Sequence, residues 1–295
     1  MDNPFECDGA WYRANLHAHT TESDGDLSPA ESAEFYRRAG YDVLAITDHD
    51  RVTRVDARLP GLLLLSGVEL GAGRSKQGTR FHIVGLDVRT PGPWTRRAEG
   101  AQEAVNALRE DAGIVFVAHP YWSGLMAEDI AELEGPFAVE VYNTGCDLEI
   151  LRGFSMVHWD DLLTLGHAHG ALAVDDGHRG AVDHGLAWTM IRAEELSAAA
   201  VREALLRGRY YASTGPEILS LRIAGERVTV ETSPAASIAL VSQPEIGARV
   251  RAKPGDSLRS AEFELPRARY CRVEVMDRDG KIAWSNPLLL DRRAG

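Results

Sequence analysis

No apolar run in the chain approaches the ~20 residues needed to span a bilayer, so no transmembrane helix is expected. The opening residues, Met1-Asp2-Asn3-Pro4-Phe5-Glu6, carry acid where a secretory leader carries base. No signal segment is therefore expected, and the expected location is cytoplasmic. Cysteine is scarce: Cys7, Cys146 and Cys271 form an odd, scattered set. That excludes a disulfide framework and a cysteine zinc site, and it suits a reducing compartment. There is no Gly-x-Ser-x-Gly elbow and no motif around any cysteine, so covalent catalysis is not expected. Gly71-Ala72-Gly73 lacks a helix-opening context and does not make a nucleotide fingerprint.

Positive charge is also short. The net charge is −12, with 19 basic against 33 acidic residues before Pro216 and 13 against 11 from there on. An acidic surface repels polyanions, which disfavours a long nucleic-acid partner. The simplest reading of the excess is a solvated acidic surface, part of which bound cations would answer.

What is present is an ordinary globular composition, 44% apolar and 26% charged over 295 residues, enough for one large domain and a small one. Ser28-Pro29-Ala30-Glu31 predicts a capped helix running to about Ala39, with Gly40 as its stop. Short apolar strands are expected at Tyr41–Thr47, Leu62–Ser66, Phe81–Leu86, Ile114–Ala118, Phe137–Tyr142, Ala171–Val174 and Ala187–Ile191. Helical composition covers Ala98–Ala112, Asp147–Leu165 and Ser197–Leu206. Near-continuous apolar strands alternating with loops and helices predict a parallel sheet covered on both faces. Roughly seven such units over about 215 residues predict a closed or nearly closed (β/α) barrel.

After Thr214-Gly215-Pro216 the helix signals stop. Strand patterns at Leu219–Ile223, Val228–Thr232, Ser237–Val241, Arg249–Ala252, Ala261–Leu265 and Cys271–Met276 predict a small antiparallel β-domain, sandwich-like, over 216–295. Its expected role is structural support. The expected domains are thus 1–215 and 216–295.

Polar clusters recur where the strands end, the face on which barrel enzymes place their chemistry. His17 and His19 follow the apolar run Trp11–Leu16, and side-chain alternation points both to the same side. Two imidazoles on one side suit a divalent metal, and Asp24 adds an oxygen nearby; a plain polar turn would show the same short pattern. Six of the ten histidines, together with Asp24, Glu69 and Asp176, sit at strand ends or beside them. Mixed imidazole and carboxylate donors suit zinc, manganese or iron. His158, His167 and His169 fall in a helical segment and its turn and are expected to be structural. His184 is a candidate for substrate contact or leaving-group protonation, and Arg179 for a phosphate clamp, with Arg51 and Lys76 weaker candidates. Asp48 is a candidate orienter of its neighbour His49, or a strand-end cap.

His17-Ala18-His19, Ser23-Asp24-Gly25, Thr47-Asp48-His49, Gly67-Val68-Glu69, His82, His119-Pro120 and Asp176-Gly177-His178 resemble the PHP (polymerase and histidinol phosphatase) superfamily. Val139-Glu140-Val141-Tyr142-Asn143, Trp159-Asp160, Tyr210–Pro216 and Trp284-Ser285-Asn286-Pro287 resemble its carbaryl-hydrolase-related branch. The resemblance implies a distorted (β/α)7 barrel and two to three divalent metals, manganese, zinc or iron. It implies His17, His19, Glu69 and Asp176 on the first metal, with Glu69 bridging to a second held by His82 and His119. Asp24, His49 and His178 would hold the third. Asp176 is preferred to Asp175 by its spacing to His178.

The expected activity is hydrolysis of a small organic phosphate or nucleotide by hydroxide generated at this di- or trinuclear site. Hydrolysis of a carbamate, ester or amide on the same fold is the alternative, and a non-catalytic metal-stabilised module is the alternative of another class. Neither the physiological substrate nor the oligomeric state is legible.

Overall fold

The computed structural model describes residues 1–55, 59–88, 99–111 and 113–290. Ser28 opens helix α1 (Pro29–Arg38) as its hydroxyl suggests, accepting the Glu31 N–H while the Glu31 carboxylate accepts the Ser28 N–H at 2.9 Å. Two donors that helix geometry leaves unpaired are thereby satisfied together. Helix α2 spans Ala101–Glu110, and the ends expected for it at Ala98 and Ala112 lie outside the described residues.

Seven strands carry the first part of the chain: β1 (Ala10–Asn15), β2 (Val43–Ile46), β3 (Leu63–Ala72), β4 (Phe81–Leu86), β5 (Ile114–Val117), β6 (Ala138–Asn143) and β7 (Gly170–Val174). Every residue of β2, β5 and β7 is buried, as expected of strands covered on both faces. β1–β2, β2–β3, β5–β6 and β6–β7 pair in parallel. Beyond β7, Gly177 bridges in parallel to Ala18, and the His19 N–H donates to the Gly177 carbonyl at 3.1 Å. The last strand thus curls back to the extension of the first, a barrel-like arrangement. It is not uniformly parallel: β4 runs antiparallel to both β3 and β5. Only eight residues link β3 to β4, too few for a crossover helix, so the connection is a hairpin. β8 (Trp188–Ala193) likewise runs antiparallel to β1.

After the short helix α3 (Ala127–Ala131), the helical stretch expected over Asp147–Leu165 is two helices, α4 (Thr144–Ile150) and α5 (Met156–Leu165). Leu151 takes a left-handed φ of 61° and ends α4. A Cβ on Gly153 would lie 2.5 Å from the Asn143 carbonyl oxygen, so the chain doubles back here against the end of β6.

From Ile218 onward all strands are antiparallel. β10 (Ile218–Ala224), β11 (Arg227–Ala235) and β14 (Leu258–Glu264) form one sheet. β12 (Ser237–Val241), β13 (Gly247–Arg251), β15 (Tyr270–Met276) and β16 (Ile282–Ser285) form a second ladder. β16 also pairs with β9 (Tyr210–Ser213), so hydrogen bonding runs without a break from the C-terminal strands into the barrel-like sheet. Arg272 is buried over the Trp159 ring at 4.5 Å and pairs with both Asp160 oxygens at 2.7 and 2.8 Å. Among the described residues no helix is long and apolar enough to cross a membrane.

Candidate metal centre and cleft

The extension just past β1 delivers two histidines to the interior: His17 and His19 are fully buried, with their Nε2 atoms 3.1 Å apart. Asp176, two residues past β7, places Oδ1 3.2 Å from His17 Nε2 and 3.1 Å from His19 Nε2. Glu69, in the middle of β3, divides its carboxylate. Oε2 lies 3.3, 3.2 and 3.2 Å from nitrogens of His17, His19 and His49. Oε1 lies 2.8 Å from His82 Nδ1 and 3.2 Å from His119 Nε2. Asp24 faces a third set, 3.4 Å from His19, 3.5 Å from His49 and 3.5 Å from His178. All nine positions singled out as ligands therefore converge, in groups whose donor atoms lie within 4.8 Å of one another.

Electrostatics at this cluster favour added positive charge. Burial opposes protonation of His17, yet Asp176, Glu69 and Glu140 outweigh it and hold its proton affinity well above the usual imidazole value. Burial works the same way on His19, and the facing carboxylates of Asp176 and Glu69 raise it to about 9. Burial also disfavours the Glu69 carboxylate, but His17 and His82 hold it well below the ordinary range. Asp176 Oδ1 is buried without a hydrogen-bond partner although two imidazoles stand beside it. Buried acceptors are normally satisfied, so an orphan carboxylate oxygen among facing imidazole nitrogens fits a divalent cation. His119 and Asp176 also have left-handed backbones, with φ of 26° and 50°, a strain of ~1–3 kcal/mol each of the kind found at functional sites.

The cluster opens into a cleft of about 500 Å³ whose walls include Trp122, Cys146, Leu148, Glu149, Arg179 and Val182. Arg179 is exposed on this wall. Trp122 packs against His119 and donates its indole N–H to Glu149 at 2.8 Å.

Three expectations are corrected by placement. His184 does not line the cleft: it is 3% exposed, wedged between Phe35 and Tyr36, with Nδ1 2.9 Å from Asp183. Asp48 does not orient His49. Its carboxylate accepts the Thr20 N–H (2.7 Å) and the hydroxyls of Thr20 (2.8 Å), Ser23 (2.7 Å) and Thr53, so it holds the loop after β1. Arg51 and Lys76 pair outward with Glu22 and Glu132. Within the held loop Gly25 is required, because a Cβ there would sit 2.6 Å from the His19 carbonyl carbon. His158, His167 and His169 also lie away from the cleft walls.

Asp175 and Asp176 point opposite ways. Asp175 accepts the N–H groups of Gly185 (2.6 Å), Leu186 and Ala187 and the hydroxyl of Tyr36 (3.0 Å), all away from the ligands. Glu140 was missed as a site residue. It is fully buried, 2.7 Å from His17 Nδ1, and its position in the Val139–Asn143 motif was the one signal available.

No family model matches the chain. It is 34% identical over 105 residues to the 5'-3' exoribonuclease of Haemophilus influenzae, covering 34% of this chain and 36% of that protein. It is 33% identical over 85 residues to the phosphoribosyl 1,2-cyclic phosphate 1,2-diphosphodiesterase of Eggerthella lenta, covering 27% of this chain and 32% of that protein. The chain thus spans about a third of the length of these curated relatives. One solved structure, from Bacteroides vulgatus, is described as a two-domain protein containing a predicted PHP-like metal-dependent phosphoesterase. It superposes with a TM-score of 0.57 at 15% identity, covering 95% of this chain and 96% of that one. The fold is shared with that PHP-like protein.

Proposed function

We propose that the chain is a PHP-type metal-dependent hydrolase, a phosphoesterase for a small phosphorylated molecule such as an organic phosphate or nucleotide. The observation that carries this is Glu69, whose two oxygens face two separate imidazole sets. In this reading His17, His19, Glu69 and Asp176 would hold one cation, Glu69 would be shared with another held by His82 and His119, and Asp24, His49 and His178 would hold a third. When bound, such cations lower the pKa of water and neutralise charge on phosphoryl oxygens. The chain's own residues do the rest. Arg179 offers a fork of donors to a phosphate at the rim. Trp122, Leu148 and Val182 line the cleft with apolar surface beside the substrate.

That same apolar lining supports the second reading, a carbamate, ester or amide hydrolase of the carbaryl-hydrolase-related branch, because a neutral substrate fits it too. A purely structural metal module is disfavoured. Structural sites are closed, whereas Asp24, His49 and His178 have side chains 52%, 32% and 30% exposed. The distorted (β/α)7 barrel, the division near residue 216 and a cytoplasmic setting belong to the same proposal. The unpaired Cys7, Cys146 and Cys271 support the setting.

Protein loaded with manganese or zinc is assayed with p-nitrophenyl phosphate, bis(p-nitrophenyl) phosphate and an aryl carbamate. Phosphate-ester cleavage supports the first reading. Cleavage of the carbamate alone transfers it to the second.

A further inference from the structure

Glu140 sits on β6, outside the ligand set, yet it touches that set at two places and reaches a third through Asn143. Its Oε1 lies 2.7 Å from His17 Nδ1. Its Oε2 accepts the backbone N–H of His119 at 2.8 Å and the side-chain amide of Asn143 at 2.8 Å. The same Asn143 amide donates to Asp176 Oδ2 at 3.0 Å. One fully buried carboxylate is thus tied to ligands on both sides of Glu69: His17 and Asp176 on one, His119 on the other.

We infer that Glu140 is the positioning residue that joins the two ligand groups sharing Glu69 into one unit, so that both take up metal together. The inference rests on the metal reading above. A carboxylate at Nδ1 keeps the His17 proton on that nitrogen and leaves the Nε2 lone pair aimed into the cluster. The backbone bond to His119 matters because that residue is held at a left-handed φ of 26°, and the N–H clamp fixes where its ring projects.

The three partners are all donors, so position 140 needs an acceptor at both oxygens. A glutamine has the right shape but one wrong end. Its NH2 must meet either the His17 N–H or the paired N–H groups of His119 and Asn143. An isosteric change of a single atom therefore removes an acceptor either from His17 or from His119 and Asn143, whichever way the amide turns.

The test is metal binding, read by elemental analysis after dialysis and by calorimetric titration with Mn²⁺ or Zn²⁺, on wild type, Glu140→Gln and Asn143→Ser. Glu140→Gln should weaken both ions of the Glu69 pair together by about 10- to 100-fold, the usual effect of losing an outer carboxylate partner. Asn143→Ser keeps the Glu140–His17 contact and should weaken them less. Thermal unfolding of the metal-free proteins separates this from simple misfolding: the two variants should melt within a few degrees of wild type. Wild-type affinity in Glu140→Gln, or weakening of one ion alone, overturns the coupling. A Glu140→Gln protein that is unfolded without metal transfers the decision to Asn143→Ser, where unchanged affinity overturns it. A wild-type protein that binds no metal overturns the metal reading itself.

Discussion

The side-chain amide of Asn286 accepts the backbone N–H of Ala171 at 2.8 Å and donates to the Gly208 carbonyl at 3.0 Å. Ala171 lies in β7, the strand that leads to Asp176, so a residue near the end of the chain holds the strand that carries a ligand. Asn286→Ala leaves the buried Ala171 N–H without its partner, while the Gly208 carbonyl keeps the Tyr210 N–H at 2.9 Å. The expected cost is roughly 1–3 kcal/mol for the unsatisfied group. Urea denaturation should show a lower midpoint with an unchanged slope.

Glu69→Gln removes one charge from the carboxylate that faces both imidazole sets. Two ions and activity should be lost together, by more than the roughly 100-fold that outer partners cost. Elemental analysis beside a phosphate-release assay checks this. Retained activity would refute the bridging assignment.

Asp48→Ala should loosen the loop after β1 without removing a ligand. The donors of Thr20, Ser23 and Thr53 lose their acceptor, a destabilisation of about 2–5 kcal/mol. Hydrogen exchange at the Thr20 amide should rise, and affinity for the ion near Asp24 should fall more than that of the Glu69 pair.

His169 gives a pH dependence away from the metal cluster. Burial, with a smaller effect from His167, lowers its imidazole to about 4. Nδ1 is buried without a partner. A depressed folded value means the fold favours the neutral ring. The stabilisation is fully present above the unfolded value of 6.5 and is lost as pH falls toward 4. At 1.36 kcal/mol per unit this is on the order of 3 kcal/mol. Thermal melts across pH 7 to 4 should fall less steeply in His169→Phe than in wild type.

Much of the site was legible because its donors sit at fixed offsets along short strands. Two residues of one strand end share a side by covalent geometry, so His17 and His19 could be paired without a structure. Asp176 was separable from Asp175 by its spacing to His178, and the structure turns the two carboxylates apart. Arg179 follows His178 by one residue and His184 follows it by six, yet one lines the cleft and the other is packed behind it. Local pattern does not say which way a loop closes.

What the sequence determined by itself was the inventory and its periodicity: apolar strands, a capped α1, nine metal-type donors on or beside strands, and the run of short antiparallel strands after Pro216. Tertiary structure alone decided the antiparallel course of β4, the continuous ladder from β16 into β9, and the roles of Glu140, Asp48 and Asn286. The physical reason is separation along the chain. Glu140 meets His17 across 123 residues and Asn286 meets Ala171 across 115, and such pairings depend on how the whole sheet curls, which no local pattern encodes.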